Sequence, residues 1–520
     1  MVDAVVIGAG HNGLAAAAHL AMKGWSVQVF ERSDRPGGAV KTRELTAPGF
    51  RHDIGAMNLS LFAGSGFNAQ HGGELARHGL QFVPVKHCFA SAFPDGRWLG
   101  VSTDLALTAA RIAGFSRRDA ETWQAMVAGF AQDAPHIFSV LGTPMTPWRL
   151  ARTAYGIWRA RGAEFLRDTA HLMTKSPRAF LEESFESPRV RAMLAAWGMH
   201  LDFPPDQAGG ALFPYLEGMA NQSFGMVIGQ GGADTMITAL TGIIKAYRGK
   251  IECNQTVTRI IETNGVATGV ELADGRRIEA AKAVIANTAP GAIPRLLGGG
   301  TGNARYDRAM SKFRHAPGTF MLHLALDGLP DWAAGDELKR FAYVHLAPDM
   351  HMMTTAYAEA TAGLLPRQPV LVVGQPTTVD PSRAPKGKHT LWVQARMAPG
   401  TILGDAAGQI GARDWDSAKA PFTERILDIL DSYAPGIRGK TLGQAVMSPA
   451  DLERENPNLV GGDQICGSHH ISQNFLFRPA PGHADWSTPV KRLHLVGAGT
   501  WPGAGVGAGS GTMLANMLAK

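Results

Sequence analysis

Cysteine is scarce. Cys88, Cys253 and Cys466 stand far apart in a chain of 520 residues, and no Cys-x-x-Cys pair occurs. That excludes a disulfide framework and a dithiol redox pair of the usual spacing, and it suits a reducing compartment. Long apolar runs are absent too. No stretch reaches the roughly 20 uninterrupted apolar residues that a spanning helix needs. A first strand starting by residue 3 or 4 leaves no room for a signal or transit peptide, so a cytoplasmic protein is expected. Charge is modest at +6. It fits a solubility role, or a weak attraction to anionic lipid or an acidic substrate. No zinc spacing, Walker loop, nucleic-acid module or internal repeat is visible, so neither a metal nor a nucleic acid is expected as partner. A 45% hydrophobic and 18% charged composition is that of an ordinary globular chain, long enough for two or more domains.

What is present starts at residue 5. Val5-Val6-Ile7 reads as a short buried parallel strand. Gly8-x-Gly10-x-x-Gly13 follows, the pattern that permits a tight turn, close backbone approach to a pyrophosphate, and close helix packing. Leu14 to Lys23 is Ala-rich and free of Pro, hence a helix, with Gly24 placed to end it. Ser26 to Phe30 predicts a second strand. Glu31 ends it 18 residues after Gly13, close to the roughly 20 expected of a carboxylate on a ribose hydroxyl. A dinucleotide with a free 2′-OH is therefore predicted, and at this point NAD and FAD are both open.

Further segments narrow the choice. Arg35-Pro-Gly37-Gly38 comes directly after the acid, and Gly49-Phe-Arg-His52-Asp53-Ile-Gly55 a little later. Lys250–Ile260 alternates like a strand, Gly269–Gly275 adds a strand and an Asp-Gly turn, and Ala283–Ala286 is another short buried strand. The chain closes on Leu493-His-Leu-Val-Gly497-Ala-Gly-Thr-Trp501-Pro-Gly-Ala-Gly-Val506-Gly507 and an apolar helix. These pieces resemble the FAD signature of the glutathione-reductase-type flavoproteins, among them the amine oxidases and phytoene desaturases. Asn456-Pro-Asn-Leu-Val-Gly-Gly-Asp463, Arg478-Pro-Ala-Pro-Gly482 and Thr488-Pro489 narrow the resemblance to phytoene-dehydrogenase-like oxidoreductases, and within them to the branch called pyridine nucleotide-disulfide oxidoreductase domain-containing protein 2.

The resemblance implies an α/β fold: a discontinuous Rossmann FAD domain (residues 1–75, 225–290 and 486–520) with an inserted α+β substrate or cap domain (76–224 and 291–485) built on an antiparallel sheet plus helices. It implies FAD as cofactor. The residues it places there are Gly8, Gly10, Asn12 and Gly13, Glu31 and Arg32, Gly37 and Gly38, Gly55 and Ala56, Val257, then Gly497, Ala498, Val506 and Gly507. Many relatives carry Arg after the Gly pair. This chain has Ala39, so a phosphate contact is looked for at Lys41 or Arg43.

A flavin performs the hard step by taking a hydride at N5, so few catalytic side chains are needed. His469 and His470 are the candidates for acid–base work, histidine having a suitable pKa. Trp501 is the candidate for stacking on a substrate or caging an amine. A lining of Trp197, Met199, Phe203, Phe213, Tyr215, Phe224, Met226, Met350, Met352, Met353 and Trp501 suggests a greasy cap pocket. The expected activity is dehydrogenation or isomerisation of a small hydrophobic, polyene- or isoprenoid-like substrate by hydride transfer, with O2, a quinone or another carrier as acceptor, since no second nucleotide domain is visible. The alternatives are a peroxide-producing flavin amine oxidase and a flavin-bearing interaction protein with little turnover. Finally, Arg149 to Lys175 is basic, with Trp and Leu at helical spacings. The preferred reading is a helix whose apolar stripe packs on its own domain, the other being a peripheral membrane contact.

Overall fold

The computed structural model describes residues 1–519, and two seven-stranded sheets organise them. In the first, Val2–Ile7 pairs in parallel with Val27–Phe30 on one side and Arg277–Asn287 on the other. Lys250–Glu252 and Leu493–Val496 extend the parallel part at its two edges. The long strand Arg277–Asn287 serves twice: its start joins the antiparallel meander Val257–Thr263 and Val266–Leu272, its end the parallel core. Both faces of Val2–Ile7 are covered, which is why Ala4, Val5 and Val6 are fully buried and the strand shows no alternation.

The predicted N-terminal helix spans His11–Met22, and Gly24 follows it with φ +82°. The C-terminal helix Gly509–Leu518 lies against it. At Gly511 a Cβ would collide with the Asn12 carbonyl, so only glycine lets the two helices approach this closely.

The second sheet collects His87–Ala92, Trp98–Ser102, Gly318–Leu326, Tyr343–Leu346, Val370–Gly374, His389–Ala398 and Thr441–Met447, antiparallel except where His87–Ala92 meets Tyr343–Leu346. The Pro94-Asp95-Gly96 turn joins His87–Ala92 to Trp98–Ser102 as a hairpin. Its two faces differ. One carries Phe320, Leu322, Val344, Leu391 and Val393 and packs on the helix Trp415–Tyr433 through Trp415, Phe422 and Ile426. The other, following the register, presents Met321, His323, Tyr343, His345, Gly374, Trp392, Gln394 and Arg396. That face turns toward the Asp53–Met57 segment, since Ile54 and Met57 share a buried cluster with Tyr343, Met321 and Trp392.

Residues 105–198 are mostly helical. One expectation fails there. The helix Pro147–Leu172 does not bury its apolar stripe: Ile157 is its single buried residue, while Trp148, Tyr155 and Trp158 are 74%, 57% and 47% exposed. The aromatics at helical spacing face outward instead of toward the core. Phe224, expected in the cap lining, is likewise 65% exposed. No described helix is long and apolar enough to cross a membrane.

Candidate flavin and substrate site

The glycine loop meets three other segments. Gly37 N–H donates to the Ala9 carbonyl at 2.9 Å, and Gly10 and Gly37 form a parallel bridge. Gly13 has no room for a side chain: a Cβ would stand 2.6 Å from the Gly8 oxygen and 3.0 Å from Asn287. Gly37, at φ +139°, adopts a backbone conformation closed to other residues. Gly55 approaches the Ala39 carbonyl, where a Cβ would come to 2.7 Å. The buried Glu31 accepts from the Ala9 N–H at 2.8 Å and the Ser33 N–H at 2.9 Å, so its carboxylate sits at the mouth of the loop. Gln255 N–H donates to the Glu31 carbonyl at 2.8 Å, bringing the start of the Val257 strand to the same place. At the far end, Gly497 N–H donates to Ser510 Oγ, which in turn donates to Asn12 Oδ1, each at 2.9 Å. The cradle thus converges from four distant pieces of chain, and its crowded glycines and single carboxylate fit an adenine dinucleotide.

Other expected cofactor contacts have protein partners. Lys41 is buried, its ammonium 2.7 Å from Glu455, and Arg43 reaches the same carboxylate at 3.0 Å. Arg32 is exposed and donates to the Arg454 carbonyl at 2.8 Å. Ala498 accepts from Arg478 at 2.7 Å; this fully buried guanidinium also donates to the carbonyls of Gly467 and Ser468. Arg478 therefore staples the last flavin loop to the His469 segment. Burial draws its pKa down to about 10.

Each candidate catalytic residue is tied into this frame. His469 Nε2 accepts from the Ala504 N–H at 2.9 Å, which fixes the neutral Nδ1–H tautomer, and burial pushes its pKa well below the ordinary histidine value. His470 Nδ1 accepts from Arg314 at 2.5 Å while Nε2 donates to the Asp202 carbonyl at 2.6 Å. Burial lowers its pKa too. Trp501 is 1% exposed and stacks near Phe475. Its indole N–H donates to the Thr143 carbonyl at 2.9 Å, so it belongs to the core of the flavin half rather than to the cap cluster.

Three features had no sequence signal. The first is a buried ion triad. Arg383, 0% exposed, joins Asp53 and Asp380, and donates to the Gly229 carbonyl at 2.7 Å. Asp53 also accepts from Thr42 Oγ1 at 2.6 Å and the Ala233 N–H at 2.8 Å. The D-x-G segment is thereby locked to the second insertion, through Asp380 and Arg383, and to the Gly229–Ala233 stretch. The second is Arg396, which donates to the carbonyls of His200 (2.7 Å) and Met199 (3.3 Å) and to Gln394, with no carboxylate in contact among the described residues. It lies beside His200 and His345, whose rings meet Nε2 to Nε2 at 3.3 Å and are kept neutral by burial and by the Arg396 charge. The third is Glu217, on the helix Leu212–Phe224. Its nearest partner is Asn221 Nδ2 at 3.3 Å, and burial raises its carboxyl to about 7. The Tyr343 phenol lies within electrostatic reach of it: burial, then Asp53 and Glu217, push that hydroxyl upward.

Fold and cradle together define an FAD-dependent oxidoreductase. The family described as flavin containing amine oxidoreductase matches residues 13–394, and the chain belongs to it. Over 99% of this chain and 93% of the other it is 27% identical to pyridine nucleotide-disulfide oxidoreductase domain-containing protein 2 of Rattus norvegicus. It is 26% identical to the neurosporene-forming phytoene desaturase of Cereibacter sphaeroides, over 97% and 91% of the two chains. The crystal structure of an oxidoreductase from Methanosarcina mazei superposes on it with a TM-score of 0.62 at 19% identity, covering 99% of each.

Proposed function

We propose that the chain dehydrogenates an apolar, isoprenoid- or polyene-like organic substrate and passes the electrons to an external acceptor. The cap face carries this reading. Met57 from the D-x-G segment, Met199 and Met321, and the rings of Trp197, Tyr343 and Trp392 share one buried apolar cluster where the cap sheet meets that segment, surroundings suited to hydrocarbon. Bound FAD supplies a hydride acceptor at N5. The protein holds the substrate against it and excludes water. The relative named as a desaturase supports the same reading.

Dehydrogenation also releases a proton. His470 has both ring nitrogens engaged, and the His469 lone pair is taken by Ala504. We therefore assign proton acceptance to the Glu217 carboxylate, carried on the helix whose Tyr215 and Leu216 pack against the cap cluster, and leave the two histidines as positioning residues. With a carboxyl at about 7, the basic form grows as pH rises through neutrality. Turnover should climb through that range. Glu217→Gln should flatten the climb and lower kcat by roughly 10²–10⁴-fold, the usual worth of a general base. Stability gives a second readout. The folded carboxyl binds its proton more tightly than the unfolded one, so the native state loses stability as pH rises from about 4.5 to about 7, and the glutamine variant should not.

The function itself is tested by anaerobic visible spectroscopy with a panel of isoprenoid, polyene and amine compounds. Bleaching of the flavin bands by an apolar compound supports the proposal. Bleaching by amines with peroxide release would favour the oxidase, and no bleaching by any compound would point to the interaction protein.

A further inference from the structure

We infer that the outer face of the helix Pro147–Leu172 docks on the surface of an anionic lipid bilayer. This goes beyond the redox reading and stands apart from it. The helix has 26 residues and buries only Ile157. A surface helix of a globular protein normally commits a broad apolar stripe to its own core. Here the large apolar side chains point outward instead: Trp148 is 74% exposed, Tyr155 57% and Trp158 47%. The Tyr155 and Trp158 rings lie 5.6 Å apart. Residues 148, 152, 155 and 159 share one helical face by their spacing. Residues 147–163 hold four arginines and no acid. Of these, Arg161 pairs with Asp133 at 3.0 Å, while Arg149, Arg152 and Arg159 make no ion pair among the described residues. A break at Gly162, φ +81°, ends this segment before the first acid, Glu164.

Exposed Trp and Tyr beside unpaired Arg match a lipid headgroup region. The amphipathic rings settle at the interface and the guanidinium groups meet lipid phosphate. A second copy of the same face is disfavoured, because it would set three arginines against three. The face is also rigidly placed. The Thr143 carbonyl accepts from the Trp501 indole, and Met145 and Leu150 pack into the core of the flavin half. Docking there would hold the last flavin loop next to the bilayer, where an apolar substrate partitions.

The test uses the purified full-length flavoprotein. Sedimentation with vesicles of phosphatidylcholine alone, and of phosphatidylcholine with phosphatidylglycerol, reads binding; tryptophan fluorescence reads insertion. Binding is expected on the mixed vesicles, with a blue shift, and should weaken at high salt. Trp148→Ser with Trp158→Ser should weaken it by about tenfold or more. Arg149→Glu, Arg152→Glu and Arg159→Glu together should do at least as much, at roughly fivefold per surface charge. Flavin content and thermal melting should stay unchanged in both variants, which separates lost docking from lost folding. Folded wild-type protein that ignores anionic vesicles would overturn the inference. So would undiminished binding by both variants, or a wild-type dimer in light scattering that the tryptophan substitutions split. Flavin bleaching without vesicle binding would sink the docking face and spare the redox reading; vesicle binding without bleaching would do the reverse.

Discussion

A chain carrying Gly13→Val is expected to emerge from purification folded but without flavin. The new Cβ would stand 2.6 Å from the Gly8 oxygen and 3.0 Å from the Asn287 Cβ and Nδ2. Real Cβ atoms do not approach backbone oxygen that closely, so the loop or the helix must move. Either shift misdirects the loop N–H groups that face a pyrophosphate. Losing two such charge-assisted hydrogen bonds, at about 1.5–3 kcal/mol each, weakens binding roughly a hundredfold to ten-thousandfold. Gly24→Ala is the control. Its backbone is also left-handed, at φ +82°, yet nothing lies within 4 Å of the new Cβ. It should cost about 1–2 kcal/mol of stability and keep its flavin. The 450-nm band per mole of protein, with added FAD titrated back by fluorescence quenching, distinguishes the two. Full flavin content in Gly13→Val would refute the account of the loop.

The contrast between those two glycines shows why the flavin half could be read from the sequence and the cap could not. The cradle is announced locally. A strand, a crowded loop, a helix and a terminal acid occupy residues 2–31 in one uninterrupted run, and each part implies the next. The substrate face has no such grammar. Tyr343, Trp392 and Arg396 become neighbours only because Tyr343–Leu346 and His389–Ala398 both pair with Val370–Gly374 in one register. The polar residues of His389–Ala398 also mask its nature, since the strand is buried on both sides while Gln394 and Arg396 punctuate the apolar pattern. Two histidines in tandem attracted a catalytic reading because the residue type suits it; their role depends on Ala504, Arg314 and Asp202, none of which neighbours them in sequence. The helix at 147–172 was legible as a helix, but the direction of its aromatic face depends on what the rest of the fold leaves uncovered. Arg383 sat in a Pro-Ser-Arg-Ala-Pro loop that reads as surface, and it is among the most buried charges in the protein.

That burial makes Arg383→Met the substitution with the largest expected effect on stability. The guanidinium neutralises Asp53 and Asp380 at once, with all three side chains 4% exposed or less. Removing it strands two carboxylates away from water, a change that typically costs about 3–5 kcal/mol. Against a total stability of roughly 5–15 kcal/mol this is severe, and a fall in melting temperature of about 3–5 °C is expected for a chain of this length. The pH dependence identifies the cause. In the wild type, burial tends to raise Asp380, but hydrogen bonds from Ser382 and the Gly231 N–H, together with Arg383, leave it below the ordinary carboxylate value. A lowered carboxyl contributes stability that is present above its unfolded pKa and is lost as pH falls through the folded one, so acid weakens the wild type below about 4. In Arg383→Met the balance reverses. The stranded Asp380 carboxyl favours protonation, and the variant should gain stability relative to wild type as pH falls from neutrality toward 5. Adding Asp53→Asn and Asp380→Asn should recover part of the loss at pH 7, because amides can stay buried without charge. Melting curves of the three proteins across that range read both effects. A single variant as stable as wild type, or a triple variant no better than the single, would show that the triad is not what joins the D-x-G segment to the cap. If instead the single variant melts low and also loses flavin, the same guanidinium holds the fold and the floor of the cofactor site, since Asp53 lies two residues from Gly55 in the segment that the substrate face covers.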